Sequence, residues 1–266
     1  MYDSIMKSIL FRFVLRFLGL FGYEVVKQTA REDLLAVLKS QLPLDAGIEL
    51  LRLGDENDGG YLIPNDIVGI SKCVSPGCDK KIAFETDLLT RFGISSVIID
   101  KADAKPRGLD DSHTYIEKWL GLRDSDSLIS LNTLLKSHQN GDLLLQMDIE
   151  GAEYEILLGT SSEDLERFRI ILIEFHYLSN MKNRMFFDYI GKTVFQKLSQ
   201  THTLVHAHPN NCAPSWSHQG IQYPEVMEYT YLRKDRIATT SPYSVFRHVL
   251  DAPNVVGNPE PIIHLQ

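Results

Sequence analysis

A chain of 266 residues fits one large domain, or one domain with a terminal extension, and its 44% hydrophobic and 23% charged content excludes a disordered polymer. Its net charge of -8 argues against a nucleic-acid backbone as a partner. Three scattered cysteines, Cys73, Cys78 and Cys212, fit a reducing, cytoplasmic compartment without a disulfide framework, and none pairs with another in a CxxC zinc motif.

Ile5–Phe21 is rich in Phe, Leu and Ile, but Lys7, Arg12 and Arg16 interrupt it. Those charges deny it the uncharged run of ~20 residues that a transmembrane helix needs, and no small-residue cleavage site follows. Ser8, Arg12 and Arg16 share one helical face, with a wide apolar face opposite. That pattern suits an interfacial membrane helix on the cytoplasmic face. It suits equally a helix packed on the domain or on a second copy in a homo-oligomer. Arg31–Leu42 reads as a helix stopped by Pro43, so residues 1–42 are expected to form an amphipathic helical extension.

Leu50–Pro64 carries two short apolar segments around Asp58-Gly59-Gly60, which predicts a hairpin. There Arg52, Asp58 and Tyr61 are candidates for a pocket mouth, because glycines permit close approach to a ligand. Ser71–Gly77 reads as a strand ending in a turn, Lys80–Phe92 as a helix, and Ser96–Ile99 as a second strand stopping at Asp100. This is the layout of a nucleotide-type βαβ unit, in which an acid ~20 residues past the turn can hold a ribose. The GxGxxG fingerprint is missing, which disfavours a nicotinamide dehydrogenase.

His113–Leu122 predicts a third strand and Asp124–His138 a helix. Leu143–Leu158, LLLQMDIEGAEYEILL, then runs from a buried strand through acids and a glycine into a helix. Ligands bind at the carboxyl edge of such sheets, so Asp148 and Glu150 point at a reaction centre. The plainer reading of these acids, and of Glu153 most of all, is that they cap the following helix. Arg169–Phe175 is another strand, followed by His176, and Met185–Leu198 an amphipathic helix. Thr203–Ala207 and Val226–Leu232 read as an antiparallel pair joined by a loop, His208–Pro224, that holds Asn210 and Asn211. Residues 43–250 would then form the main domain, and residues 251–266, with three prolines, an extended surface tail.

Alternating strands and helices imply an α/β fold, a mostly parallel sheet covered on both faces. Four segments, LRLGDENDGGYLIP, SPGCDKKIAFETDLLTRFG, LLLQMDIEGAEYEIL and IEFH, resemble the FkbM-like methyltransferase family, as do HPNNCAP and YPEVMEYTYLRKD. The resemblance implies a Rossmann-like, seven-stranded sheet with an antiparallel closing strand. It also implies S-adenosylmethionine as cofactor and O-methylation of a hydroxyl on a sugar or glycan, in polysaccharide biosynthesis or glycosylated metabolites. Carried over, Ser75, Gly77, Glu85 and Glu150 would face the cofactor, Asp100 would hold its ribose, and Asp148 would lie beside the sulfonium. Asn210 and Asn211 would face the acceptor.

A sugar hydroxyl is a poor nucleophile and needs a base or a metal. His176, and His206 or His208 before the Asn pair, are the base candidates, because histidine ordinarily titrates near neutrality. A magnesium or manganese site on Asp148, Glu174 and His176 is the alternative. His202, His248 and His264 read as surface residues. A second class of function stays open, a catalytically inactive scaffold in a polysaccharide assembly complex.

Overall fold

The computed structural model describes residues 12–14, 16–22, 25–101, 105–243 and 247–266. Seven strands form the central sheet: β1 (Ile70–Pro76), β2 (Ser96–Ile99), β3 (Thr114–Ile116), β4 (Asp142–Met147), β5 (Phe168–Phe175), β6 (His202–Pro209) and β7 (Met227–Arg233). Their spatial order is β6-β7-β5-β4-β1-β2-β3, and β7 alone runs antiparallel to its neighbours. This is a Rossmann-like, mostly parallel sheet. The antiparallel strand is wedged between β5 and β6 rather than closing an edge, reached from β6 through a long loop.

β4 occupies the middle for a plain reason. Leu143, Leu144 and Leu145 are all inaccessible to solvent, and such a continuous apolar run satisfies both faces of a sheet at once. On one face Leu143, Leu145 and Met147 meet α1 (Arg31–Ser40), α3 (Leu131–Ser137), α4 (Glu153–Gly159) and α5 (Lys192–Thr201). On the other, Leu144, Ile170 and Leu172 meet α2 (Ala83–Phe92) and the hairpin of Leu50–Gly54 and Gly60–Pro64. Successive strand residues alternate faces, so Gln146 and Glu174 follow Leu144 and Leu172 onto the hairpin side.

Several elements depart from the sequence reading. α2 starts at Ala83 rather than Lys80, because Asp79 and Lys80 take positive φ in the turn before it. His113–Leu122 splits into β3 and a second strand, Trp119–Gly121, which pairs with Leu128–Ser130. The helix expected from Asp124 begins only at Leu131, where the Ser130 hydroxyl accepts from the Thr133 amide. Met185–Leu198 is interrupted by a widened turn at Phe187–Gly191. There Gly191 lies so close to Met181 that a Cβ would meet its sulfur at 2.2 Å. The polar loop after β6 holds its own hairpin, Trp216–His218 with Ile221–Tyr223.

The helix over Arg31–Ser40 is no detached extension: Leu34 and Leu38 are fully buried in the main core. Of the N-terminal stretch, residues 5–11 and 15 lie outside the described residues. Residues 12–14 and 16–20 are helical and leave Phe13, Phe17 and Leu20 exposed. Among the described residues no helix is long and apolar enough to cross a membrane. The segment from Asp251 is largely exposed from Val255 onward, as a surface tail would be, but its first residues are anchored inward. Asp251 and Asn254 are buried against β6 and β7.

Candidate active site

The carboxyl ends of β1, β4 and β5 open into a cleft of about 870 Å³, roofed by the Asp55–Gly59 turn of the hairpin and walled by Asn254–Val256. Its floor is set by one glycine. Gly77 has φ +83°, and a Cβ there would lie 1.5 Å from the Asp148 carbonyl oxygen. Only glycine lets the turn after β1 pass so close to the end of β4. The Asp148 amide in turn donates to the Pro76 carbonyl at 3.2 Å.

Beside that turn, Asp100 at the end of β2 accepts from the amides of Cys78 at 3.0 Å and Asp79 at 2.9 Å through one oxygen. It holds the turn and is not among the residues lining the cleft. Ser75 is also buried behind the surface, its hydroxyl between Glu85 and Gln146, the latter at 2.7 Å. Burial raises the Glu85 pKa, so its carboxyl tends to keep the proton that closes this chain of oxygens.

Asp148, Glu150, Glu174 and His176 converge on the other side of the cleft. The His176 Nε2 lies 3.8 Å from Asp148, 3.5 Å from Glu150 and 3.7 Å from Glu174, each too long for a hydrogen bond. Its Nδ1 is 3.0 Å from Glu153 Oε1. The same Glu153 oxygen accepts from the amides of Ile149 and Gly151, so it fixes the loop and the imidazole together. Glu150 reaches its place through a left-handed backbone, φ +56°, which non-glycine residues rarely adopt. The Asn210 amide donates to Glu174 at 2.7 Å. One oxygen of Asp148 and one of Glu174 are buried without a partner.

The electrostatics follow from crowding acids in a half-dry cleft. Burial, together with Glu150 and Glu153, pushes the Asp148 carboxyl up to about 7, although His176 opposes the shift. Burial and the Asp148 charge raise Glu174 well above the carboxylate range. For His176, burial alone would lower the pKa. The bond and charge of Glu153, then the charges of Asp148 and Glu150, outweigh it and raise it. A raised pKa makes His176 a poorer base at neutral pH than an unperturbed histidine would be.

Of the acceptor-side candidates, Asp58, Tyr61 and Asn210 line the cleft. Arg52 does not: its guanidinium braces the roof by donating to the carbonyls of Asp55, Glu56 and Asn57. Asn211 is likewise taken up, donating to Val255 and Asn258 carbonyls and accepting from the Val255 amide. His208 sits away from His176, buried between Asn254, at 3.2 Å, and Asp251, at 3.7 Å. Asn211 and His208 are taken up by the C-terminal strap and Arg52 by the hairpin turn, rather than facing the cleft. Sequence reasoning missed the strap's Asn254 and the Glu153 contact to His176. The spacing of Glu153, four residues beyond Ile149 at a helix start, signalled a cap but not its second partner.

A doubly wound sheet with a cleft at the carboxyl edge of its central strands defines a Rossmann-like α/β architecture. Residues 104–200 match the family model described as the methyltransferase FkbM domain, which supports an FkbM-like methyltransferase family for this chain and, with it, a methyltransferase. That stretch holds Asp148, Glu150, Glu153, Glu174 and His176. No curated protein and no solved structure matches the chain.

Proposed function

We propose that the chain is an S-adenosylmethionine-dependent O-methyltransferase acting on a hydroxyl of a sugar or glycan. The observation that carries this reading is the Asp148–Glu174–His176 cluster in the cleft, beside the point where the glycine turn of β1 packs on the end of β4. The cleft has room for a nucleoside-sized donor and an acceptor together. Eight acidic side chains line it against one lysine and one histidine. Such a lining favours a cationic ligand, and the donor carries both a sulfonium and an ammonium. Gly77, Glu85, Gln146 and Asp148 all line the cleft beside the turn of β1. The donor, when bound, supplies an electrophilic methyl group.

The chain's own work is to hold the two reactants in line and to manage the acceptor's proton. Asp58, Tyr61 and Asn210 are the polar groups open to an acceptor, and sugar hydroxyls suit such donors and acceptors. Proton removal falls to the Asp148–Glu174–His176 cluster, whose charge stabilises loss of a proton only where it is balanced. Titration with S-adenosylmethionine tests the first half of the reading: heat on mixing and a raised Tm are expected, and no response at millimolar ligand would favour the inactive scaffold. Transfer of labelled methyl to glycan acceptors tests the second half.

A further inference from the structure

Three carboxylates and an imidazole meet at the cleft with their charges unbalanced and some of their oxygens idle. The ligand atoms of Asp148, Glu174 and His176 all lie within 4.8 Å of one another. Donor atoms about 2.1 Å from one octahedral ion lie roughly 3.0 to 4.2 Å apart, and the Nε2–carboxylate separations of 3.5 to 3.8 Å fall inside that range. They are too long for the groups to be satisfying one another. Acids cluster on many surfaces without an ion, so the cluster alone proves nothing. A second observation points inward. Glu174 is only 5% exposed, and its Oε2 is buried with no partner at all, as is the Oδ1 of Asp148. Buried carboxylate oxygens without donors are costly, and a cation between them removes that cost.

The surroundings of His176 add an independent sign. Its Nδ1 is 3.0 Å from the fully buried Glu153, whose carboxylate also accepts two backbone amides. A carboxylate behind the distal nitrogen is the arrangement that fixes the tautomer and raises the basicity of a metal-ligating imidazole. Here it leaves Nε2 as the free lone pair facing Asp148, Glu150 and Glu174. Asn210 likewise restrains Glu174 from behind.

We propose that Asp148, Glu174 and His176, with the exposed Glu150 as a fourth arm, bind a divalent cation at the acceptor side of the cleft, and that this cation is Mn2+ in preference to Mg2+. The mixed set decides the preference. Mg2+ takes oxygen ligands almost exclusively, whereas Mn2+ accepts imidazole nitrogen beside carboxylates. The inference rests on the methyltransferase reading only for its purpose, which is to bind and acidify the acceptor hydroxyl by Lewis-acid polarisation.

The test uses the full chain stripped with EDTA. Calorimetric titration with MnCl2 should give saturable one-to-one binding, the six-line spectrum of free Mn2+ should vanish, and Tm should rise. Glu174→Gln keeps the side-chain volume and the Asn210 contact, so it should fold, yet it should lose at least tenfold in Mn2+ affinity. His176→Ala should do the same, and Glu153→Gln, acting through His176, should lose about tenfold. Glu163→Gln, on the far surface, should bind as the wild type does. Absence of saturable Mn2+ binding, or equal binding by Glu174→Gln and His176→Ala, overturns the site. Methyl transfer undiminished in EDTA also overturns it while leaving the methyltransferase reading intact. Mn2+ binding without any response to S-adenosylmethionine does the reverse.

Discussion

Two histidine–carboxylate clusters lie on this sheet, one at the carboxyl ends of β4 and β5, the other between β6, β7 and the C-terminal strap. In the strap cluster both oxygens of Asp251 are used, one by His206 Nε2 at 2.9 Å and the other by the His248 amide at 2.8 Å. Asn254 bridges Glu228 and His208 in the same way, donating to the first at 2.5 Å and lying 3.2 Å from the second. In the cleft cluster three buried carboxylate oxygens, of Asp148, Glu153 and Glu174, have no partner and the Nε2 of His176 reaches none of its neighbours. The residue types are the same. Buried polar groups are ordinarily satisfied; the strap set leaves one atom, His208 Nδ1, without a partner, whereas the cleft set leaves three carboxylate oxygens, so the first is mainly architecture and the second is the better candidate for a ligand.

The largest effect that could break this contrast is on turnover. Asp148→Asn and His176→Ala are each expected to lower kcat by about 10²- to 10⁴-fold, the range for losing a group that handles a proton or a charge in the transition state. His208→Gln, in the strap cluster, should leave kcat within a few fold and lower Tm instead. Steady-state rates with labelled donor decide it, and a His208 variant as dead as the His176 variant would erase the distinction.

Asp251 comes next. Its carboxyl is held far below the usual range, because hydrogen bonds and charge from His206 and His208 outweigh the opposing burial. Asp251→Ala strands two imidazoles and a backbone amide, and breaking a buried pair of this kind costs about 3 kcal/mol. For a chain of this size that is roughly 8 °C in Tm. The strap should also become the first site cut in limited proteolysis, since Asn254–Val256 would lose their anchor. The depressed pKa gives the sign with pH: Asp251 contributes its full stability above its unfolded pKa and loses it only as pH falls through its lowered folded value. The latch therefore holds throughout the neutral range.

His202 sharpens the comparison from outside both clusters. It reads as a surface residue in the sequence, but it is 1% exposed at the start of β6. Its Nε2 is 2.8 Å from the Phe168 carbonyl and its Nδ1 is 2.7 Å from the Thr201 hydroxyl, a fit for the neutral ring donating at one nitrogen and accepting at the other. Burial lowers its pKa to about 4, with Arg233 adding to the effect. The unfolded chain binds this proton from about pH 6.5 downward and the folded chain only near 4, so stability falls as pH falls across that window. The loss is at most about 3 kcal/mol. His202→Asn should show a flatter Tm between pH 6.5 and 4, though from a lower starting value; the slope of Tm against pH in the two proteins is the measurement.

How much of this was legible in the sequence follows from what each signal depends on. The sheet was readable because Leu143–Leu145 and Ile170–Ile173 are apolar on both faces, a local property. Asp148 and His176 were readable because each ends such a run, and strand ends in a parallel sheet gather at one edge. Asn211 and His208 went the other way, since their partners come from the distant segment Asp251–Asn258, while Arg52 turned back onto its own hairpin, Asp55–Asn57. The proline-rich composition of the C-terminal stretch describes its backbone but carries no sign of the pocket it fills. Glu153 was half legible: its place at a helix start announced the amides it accepts, not the imidazole 23 residues later that shares the same oxygen.

Asp100 carries the smallest expected effect and tests the donor half of the cleft against the acceptor half. Its oxygen gathers the Cys78 and Asp79 amides, so replacing it loosens the turn that brings Gly77 against Asp148. Asp100→Ala removes two charge-assisted hydrogen bonds next to the donor and none at the cluster around His176. The expected result is a rise in KM for the methyl donor of about tenfold, equivalent to one such bond, with kcat nearly unchanged. Asp100→Asn, which can still accept from both amides, should recover most of the loss. A fall in kcat with KM constant would mean that the two sides of the cleft are not separable, and that the turn of β1 helps to set the chemistry at the ends of β4 and β5.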